Sequence, residues 1–270
     1  VANPLEQSIA FAVRSNHEMD RLFAEIGTAD HPRGRIVSLY RNSRRAMATA
    51  HRGGRWDVGA ARDVMLNLER SVREAATLSL LAGRSIGLRN ARAQLGAYGI
   101  EPVVVSDSVA AGALNAIVAG VQRQTAQAIA LVDSGAETAV VLGDDRRVGV
   151  FSYGSTAADT ADWSARESET VFAAMLIAAL AGSKQKFQKQ AIAALDRRTT
   201  RTCIRVHGQV ANLNSNFHLT EEPRYADWLP WPPFHRWCRT AAVLYLAEFD
   251  IGLTDILLAE GEVFWAQVRR

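Results

Sequence analysis

Through most of the first hundred residues, apolar side chains recur every three or four positions, the period of a helix with one buried face. Asn3-Pro4 reads as a cap followed by proline at the first helical position. Leu5, Ile9, Val13, Met19, Leu22, Phe23 and Ile26 continue the stripe, so a helix is expected over 4–26. Gly27 and the run Asp30-His31-Pro32-Arg33-Gly34 interrupt it, and Ile36, Leu39, Tyr40 and Met47 define a second helix over about 35–50, closed by Gly53-Gly54. The longest stripe, from Val58 through Met65, Leu68, Val72 and Ala76 to Leu81, predicts a helix from Asp57 to about Leu95 that bends or breaks near Gly83 or Gly87. Gly99 and Pro102 close this helical portion.

Beyond Pro102 the pattern changes. A Ser106-Asp107-Ser108 cap cluster and an alanine-rich run predict a buried helix over 108–131. Residues 137–142 and 148–151 read as two short strands around Gly143-Asp144-Asp145-Arg146-Arg147, a β-hairpin near 137–151. Helical spacing resumes over 169–180. Four of the seven prolines and three of the six tryptophans then fall between Pro223 and Trp237, a loop in which ordinary helix is disfavoured. Trp228, Trp231 and Trp237 serve there either as interface anchors or as a local mini-core. The apolar set Val243, Leu244, Leu246, Phe249, Ile251, Leu253, Ile256, Leu257, Leu258, Val263 and Phe264 reads as a strand followed by a terminal helix or docking arm. The expected architecture is α+β, mainly α: a helical region over 1–160 and a small α+β domain over 161–270.

Composition excludes a disordered tail, a collagen and a disulfide scaffold, since 48% of the 270 residues are hydrophobic and only two are cysteines. Residues 1–25 lack the order of a secretory signal, and the longest uncharged run, near 108–122, is diluted by Ser108 and Asn115. The chain therefore reads as soluble, without a membrane partner, and made in a reducing cytosol. The net charge of +3 is small, yet residues 1–100 hold 15 basic against 9 acidic side chains. Arg33, Arg35, Arg41, Arg44, Arg45, Arg52 and Arg55 cluster in the second helix and its exit. They form either a solvated helix face or a face that meets DNA or an acidic protein.

Both cysteines lie in two short clusters, Cys203-x3-His207 and His235-x2-Cys238. Two thiolates and two imidazoles supply the four donors of a tetrahedral zinc site, which would staple the proline-rich loop. Buried thiols beside hydrogen-bonded histidines, or a Cys203–Cys238 disulfide, account for the same residues. Cys203 and His207 are one helical turn apart, but no glycine loop of oxyanion type follows, and the chain has no G-x-S-x-G, P-loop, G-x-G-x-x-G or H-E-x-x-H motif. No catalytic residue is assigned.

The run from Ala194 through Asp196-Arg197-Arg198-Thr199 to Cys203, then His207-Gly208-Gln209-Val210, then Pro232-Pro233-Phe234-His235-Arg236-Trp237-Cys238-Arg239-Thr240, resembles the C-terminal motif of the phage Mu F-like minor head proteins. That family reads approximately D-x-R-T-x-x-x-C, D-G-x-V, a variable loop, and P-P-x-H-x-x-C-R-C. The matching positions are Asp196, Arg198, Thr199, Cys203, Gly208, Pro232, Pro233, His235, Cys238 and Arg239, and a helix over 169–180 followed by 187–195 is similar to the family's lead-in. Two positions depart: His207 stands where the family has Asp, and Thr240 replaces the last cysteine. Nothing in 1–160 matches. The resemblance implies a non-enzymatic head-morphogenesis protein of a tailed phage or prophage, present in several copies in the virion and in the host cytoplasm during assembly. Its implied partners are the portal protein, the major capsid protein and packaged DNA. A DNA-binding accessory factor using the arginine face, and a metal-dependent hydrolase using the Cys/His cluster, are the other readings of the same residues.

Overall fold

A computed structural model describes residues 3–24, 32–105, 108–143, 151, 157, 161, 166, 168–219, 229–235 and 238–268. The chain is α+β and mainly helical. It divides into two compact units that are interleaved in sequence rather than meeting at residue 160. One comprises Val1–Asp20, Gly83–Ser106 and Arg166–Arg270, the other Arg21–Ala82 and Asp107–Ala165.

The second of these is built on helices. α2 (Pro32–Ala50) starts at a proline, whose missing N–H costs nothing in the first turn. Its inward residues Ile36, Tyr40 and Met47 pack with Ala61, Met65, Leu68 and Val72 of α3 (Val58–Ala97) and with Ile117, Val121, Ala128 and Val132 of α4 (Ser108–Asp133). α2 and α3 are joined by a hairpin, β1 (His51–Arg52) and β2 (Arg55–Trp56), with His51 opposite Trp56 and Arg52 opposite Arg55. Gly53 and Gly54 both have positive φ (57° and 76°), as a two-residue turn of this hand requires. Asp57 then caps α3, its Oδ1 accepting the Ala60 N–H at 3.0 Å.

Three expectations are corrected here. The segment expected as the first strand near 137–151 is a helical turn, α5 (Thr138–Leu142), whose side chains bury only Val141. A three-residue apolar run does not tell strand from helix, and the pocket accepts one side chain of the three. The second expected strand lies almost wholly outside the described residues. α3 continues unbroken through Gly83 and Gly87, although the division between the two units falls at Gly83. α4 buries one face and leaves Asn115, Gln122 and Arg123 exposed, because its alanines are too small to define an all-round core.

The other unit surrounds a three-stranded antiparallel sheet of order β4-β3-β5: β3 (Gln188–Ala193), β4 (Val210–Asn212) and β5 (Thr240–Tyr245). Every residue of β5 is buried because both faces are covered. Ala242 and Leu244 pack on Ala91 and Leu95 of α3 and on Phe172, Met175 and Leu176 of α6 (Ser168–Leu180). Ala241 and Val243 pack with Ile192 on Leu5 and Ala12 of α1 (Pro4–Ala24). The outer edge of β5 would leave buried backbone groups without partners. Gln94 of α3 supplies them, accepting the Leu244 N–H (2.7 Å) and donating to the Ala242 carbonyl (3.4 Å), while the Tyr98 hydroxyl donates to the Leu244 carbonyl (2.9 Å). α7 (Arg201–Val206) follows β3, and α8 (Leu253–Val268) closes the chain after a 3₁₀ turn at Ala247–Phe249. The expected strand followed by a terminal helix is therefore present. No helix of the described residues is long and apolar enough to cross a membrane.

Candidate metal centre

The centre begins where β3 ends. Leu195 takes a left-handed backbone conformation (φ 47°), turning the chain out of the sheet. Asp196 then organises the next turn: its Oδ1 accepts the Arg198 N–H (2.9 Å), and its N–H donates to Thr199 Oγ1 (3.0 Å). Thr200 caps α7, its Oγ1 accepting the Cys203 N–H at 3.5 Å. One short helix thus turns Cys203, Ile204 and Val206 inward. From the other side, the peptide between Pro232 and Pro233 is cis, and the Cys238 N–H donates to the His235 carbonyl at 3.1 Å, folding His235 and Cys238 onto one side.

Cys203 Sγ lies 2.9 Å from His235 Nε2 and 3.5 Å from Cys238 Sγ, and all three donor atoms fall within 4.8 Å of one another. Both thiols are buried and His235 is half-buried. A hydrogen bond from Cys238 holds the Cys203 thiol well below its ordinary pKa, with His235 acting in the same direction. Burial pushes Cys238 well above its own. Cys238 and His235 thus both favour the thiolate form of Cys203, the form in which a cysteine binds metal. Tetrahedral zinc with Zn–S of about 2.3 Å sets its two sulfurs about 3.8 Å apart, close to the separation seen here. The donor set fits a metal ion. The sulfurs are too far apart for a disulfide, whose S–S length is about 2.05 Å, and both cysteines are free.

His207, expected as a fourth donor, belongs elsewhere. α7 ends at Val206, and the ring turns back toward β3, where Nδ1 accepts the Ala193 N–H at 2.9 Å. Nε2 faces Glu260 Oε2 at 3.8 Å, beyond hydrogen-bond reach of a carboxylate that is 57% exposed. Burial lowers the imidazole from its usual 6.5 to about 4, so it is neutral. Gly208 follows with φ 80°; its N–H donates to the Ala191 carbonyl (2.8 Å), and a Cβ there would lie 2.8 Å from the Leu258 nitrogen of α8.

Arg239 and Asp196, two motif residues, form an ion pair. The remaining partners were not foreseen. Asp20 of α1 accepts from Arg239 Nε (2.8 Å) and from Arg166 Nη2 (3.3 Å), and Arg166 Nη1 donates to the Cys238 carbonyl (3.2 Å). Nothing in local spacing announces bonds spanning 146 and 219 residues. Lys189 is the other residue the pattern missed. It is fully buried, donates to the carbonyls of Leu213 (3.2 Å) and Pro230, and lies 4.5 Å from the centroid of the Trp231 ring and 5.2 Å from that of Phe217. Burial lowers its ammonium to about 8. Trp231 also meets Phe172 edge-on at 6.0 Å, so it packs locally. Trp228 and Trp237 lie outside the described residues.

Of the arginine cluster, Arg35, Arg41, Arg45, Arg52 and Arg55 are exposed, and Arg44 is tied to the carbonyls of Leu142 and Gly143, both at 3.0 Å. The side chain of Arg33 is outside the described set. No family model, curated protein or solved structure matches the chain at a significant level.

Proposed function

We propose that this chain is a structural minor head protein of a tailed phage or prophage, in which Cys203, His235 and Cys238 hold a zinc ion as a staple. The observation that carries this reading is the convergence of residues 194–240. The Asp196 turn, Cys203, His235, Cys238 and Arg239 are co-ordered in the sequence and lie together, around two buried thiols, where β3 ends and β5 begins. A staple suits the proline-rich segment, since proline has no N–H to give to a backbone ladder. The cavity beside Cys238, about 20 Å³ and lined by Ser15, Asn16, Met19, Arg166, Pro233 and Thr240, admits a single water, and among the described residues its lining offers no carboxylate or imidazole base. Three protein donors leave a fourth position for that water, and it is the lack of a base beside it that favours a staple over a hydrolytic metal. The portal and major capsid proteins are the partners proposed, with several copies of the chain in each virion and a cytoplasmic stage before assembly.

Mass spectrometry of purified heads from the encoding phage should find this polypeptide, and it should co-purify with portal or capsid protein. Heads lacking it, together with no association in either pairing, refute the assignment. Elemental analysis should give about one zinc per chain, lost in Cys203→Ser and Cys238→Ser but retained in His207→Asn. Substoichiometric zinc with unaltered folding in chelator rejects the staple.

A further inference from the structure

We propose that the outer face of α2 and the β1–β2 hairpin bind the phosphate backbone of duplex DNA without regard to sequence. Residues 32–56 contain seven arginines and no acidic residue. In α2 the outward positions Arg35, Ser38, Arg41, Asn42, Arg45 and Thr49 recur every three or four residues, so they lie along one line of the helix. All are hydrogen-bond donors. Arg35 and Arg45 are about 15 Å apart along the axis at about 1.5 Å per residue, enough to reach phosphates on both sides of a major groove about 12 Å wide. At the end of the stripe the hairpin carries Arg52 and Arg55 beside an open groove of about 540 Å³ floored by Ala46, Ala60 and Val64. Among the described lining residues of the groove, the one acidic side chain, Asp57, accepts the Ala60 N–H through Oδ1 in capping α3.

Folding alone does not account for this arrangement. Arg41 and Arg45 are an i,i+4 pair of like charge, which weakens a helix, whereas a solvated face ordinarily alternates signs. Arg52 and Arg55 are directly opposite in the hairpin, where like charges again disfavour pairing. Among the described residues, no carboxylate pairs with Arg35, Arg41, Arg45, Arg52 or Arg55. A phosphate lying between them relieves both repulsions.

The surface chemistry separates the partner classes. A protein interface is anchored by aromatic or large apolar residues, but Ile36, Tyr40 and Met47 point into the core and the outward stripe offers none. Single-stranded nucleic acid is held by stacking on exposed aromatics. Trp56, the aromatic residue among the described lining of the groove, is half-buried with its Nε1 donating to the Ala136 carbonyl at 2.7 Å. Polyphosphate on a duplex asks only for positive charge and donors. The inference rests on α2 and the hairpin alone, so it stands or falls separately from the head-protein reading.

The test is fluorescence anisotropy of the full chain with a labelled 24-base-pair duplex of arbitrary sequence, between 50 and 200 mM salt. Four phosphate contacts predict a fall in affinity of about a hundredfold over that range. R35A/R41A/R45A should weaken binding at least tenfold at low salt and reduce the log–log salt slope by about 2.7, while R35K/R41K/R45K keeps the slope. These side chains are exposed, so the variants should melt with the wild type. K184A/K186A/R197A, removing three exposed charges elsewhere, should leave affinity within twofold. The proposal is overturned if the wild type shows no salt-sensitive duplex binding. It is equally overturned if the charge-matched control loses as much as the α2 variant, if single strands bind better than duplex, or if poly-glutamate competes as well as unlabelled duplex.

Discussion

His207 gives the sharpest test of how the motif is held together, because replacing a metal ligand releases the zinc, whereas replacing a buried neutral acceptor removes a pH-dependent contribution to stability and leaves the zinc in place. The structure makes the ring an acceptor from the Ala193 N–H, at 4% exposure, and burial lowers its pKa from 6.5 to about 4. The native state therefore binds the proton more weakly than the unfolded chain, and stability contributed by the neutral ring is lost as pH falls from 6.5 toward 4. Those two values correspond to a loss of about 2.5 kcal/mol between pH 7.5 and pH 4.5. His207→Asn keeps an acceptor oxygen near the position of Nδ1 but has no proton to take up. At pH 7.5 the variant should be less stable by about 1–2 kcal/mol, from lost packing against Gly261 of α8. At pH 4.5 that gap should close or reverse. Urea denaturation of both proteins at the two pH values measures it, and taking the difference cancels the other titrating groups, which the two proteins share. A gap independent of pH, or loss of zinc from the variant, would refute the reasoning.

Three further substitutions probe the same unit. Asp20→Asn leaves the buried guanidiniums of Arg166 and Arg239 short of a charge partner and should cost about 3–5 kcal/mol in chemical denaturation; a cost below 1 kcal/mol contradicts the network. Gly208→Ala combines a left-handed backbone position with a Cβ 2.8 Å from the Leu258 nitrogen. It should lose about 2–4 kcal/mol and raise proteolysis of α8, whereas Gly182→Ala, with φ 85° but open space around it, should lose only about 1–2 kcal/mol. Lys189→Met orphans the carbonyls of Leu213 and Pro230, costing about 2–3 kcal/mol near pH 7. Because the native lysine is lowered to about 8, the wild type should gain on this variant as pH rises from 8 toward 10.5, and a gap that shrinks over that range counts against the cage.

How much of this was legible in the sequence depended on whether a signal was local. The three-four periodicity of α1, α2 and α3 records a single buried face, and it located all three. β5 was legible from its apolar content, whereas β3 escaped because both faces of the sheet are covered, so Gln188–Ala193 has no apolar-polar alternation to read. Cys203, His235 and Cys238 were legible as a set because co-ordered short motifs imply proximity. His207 was misread because a spacing of four from Cys203 assumes a helix that runs on, and α7 stops one residue short of it. Asp20 and Arg166 carry no local mark; only the fold brings them to Arg239.

Local rules are broken at several positions, and what repairs each break separates structural from functional residues. Leu195 has a left-handed backbone, and its side chain packs against Ala193, Cys203 and Cys238. Lys189 is a buried cation, but two carbonyls and two aromatic rings surround it. Asp20 is half-buried, and guanidiniums meet both of its oxygens. Each of these is repaired within the chain, so packing suffices to explain it. Arg52 opposite Arg55, and Arg41 one turn before Arg45, meet no carboxylate among the described residues, and Arg52 Nε reaches only the Thr49 carbonyl at 3.1 Å. A repulsion that folding leaves uncompensated costs stability in the isolated chain, and an external polyanion is the partner that removes it. The same comparison separates the two sites: the charges packed around the Cys/His centre are met within the chain, whereas the α2 arginines named here meet no carboxylate among the described residues.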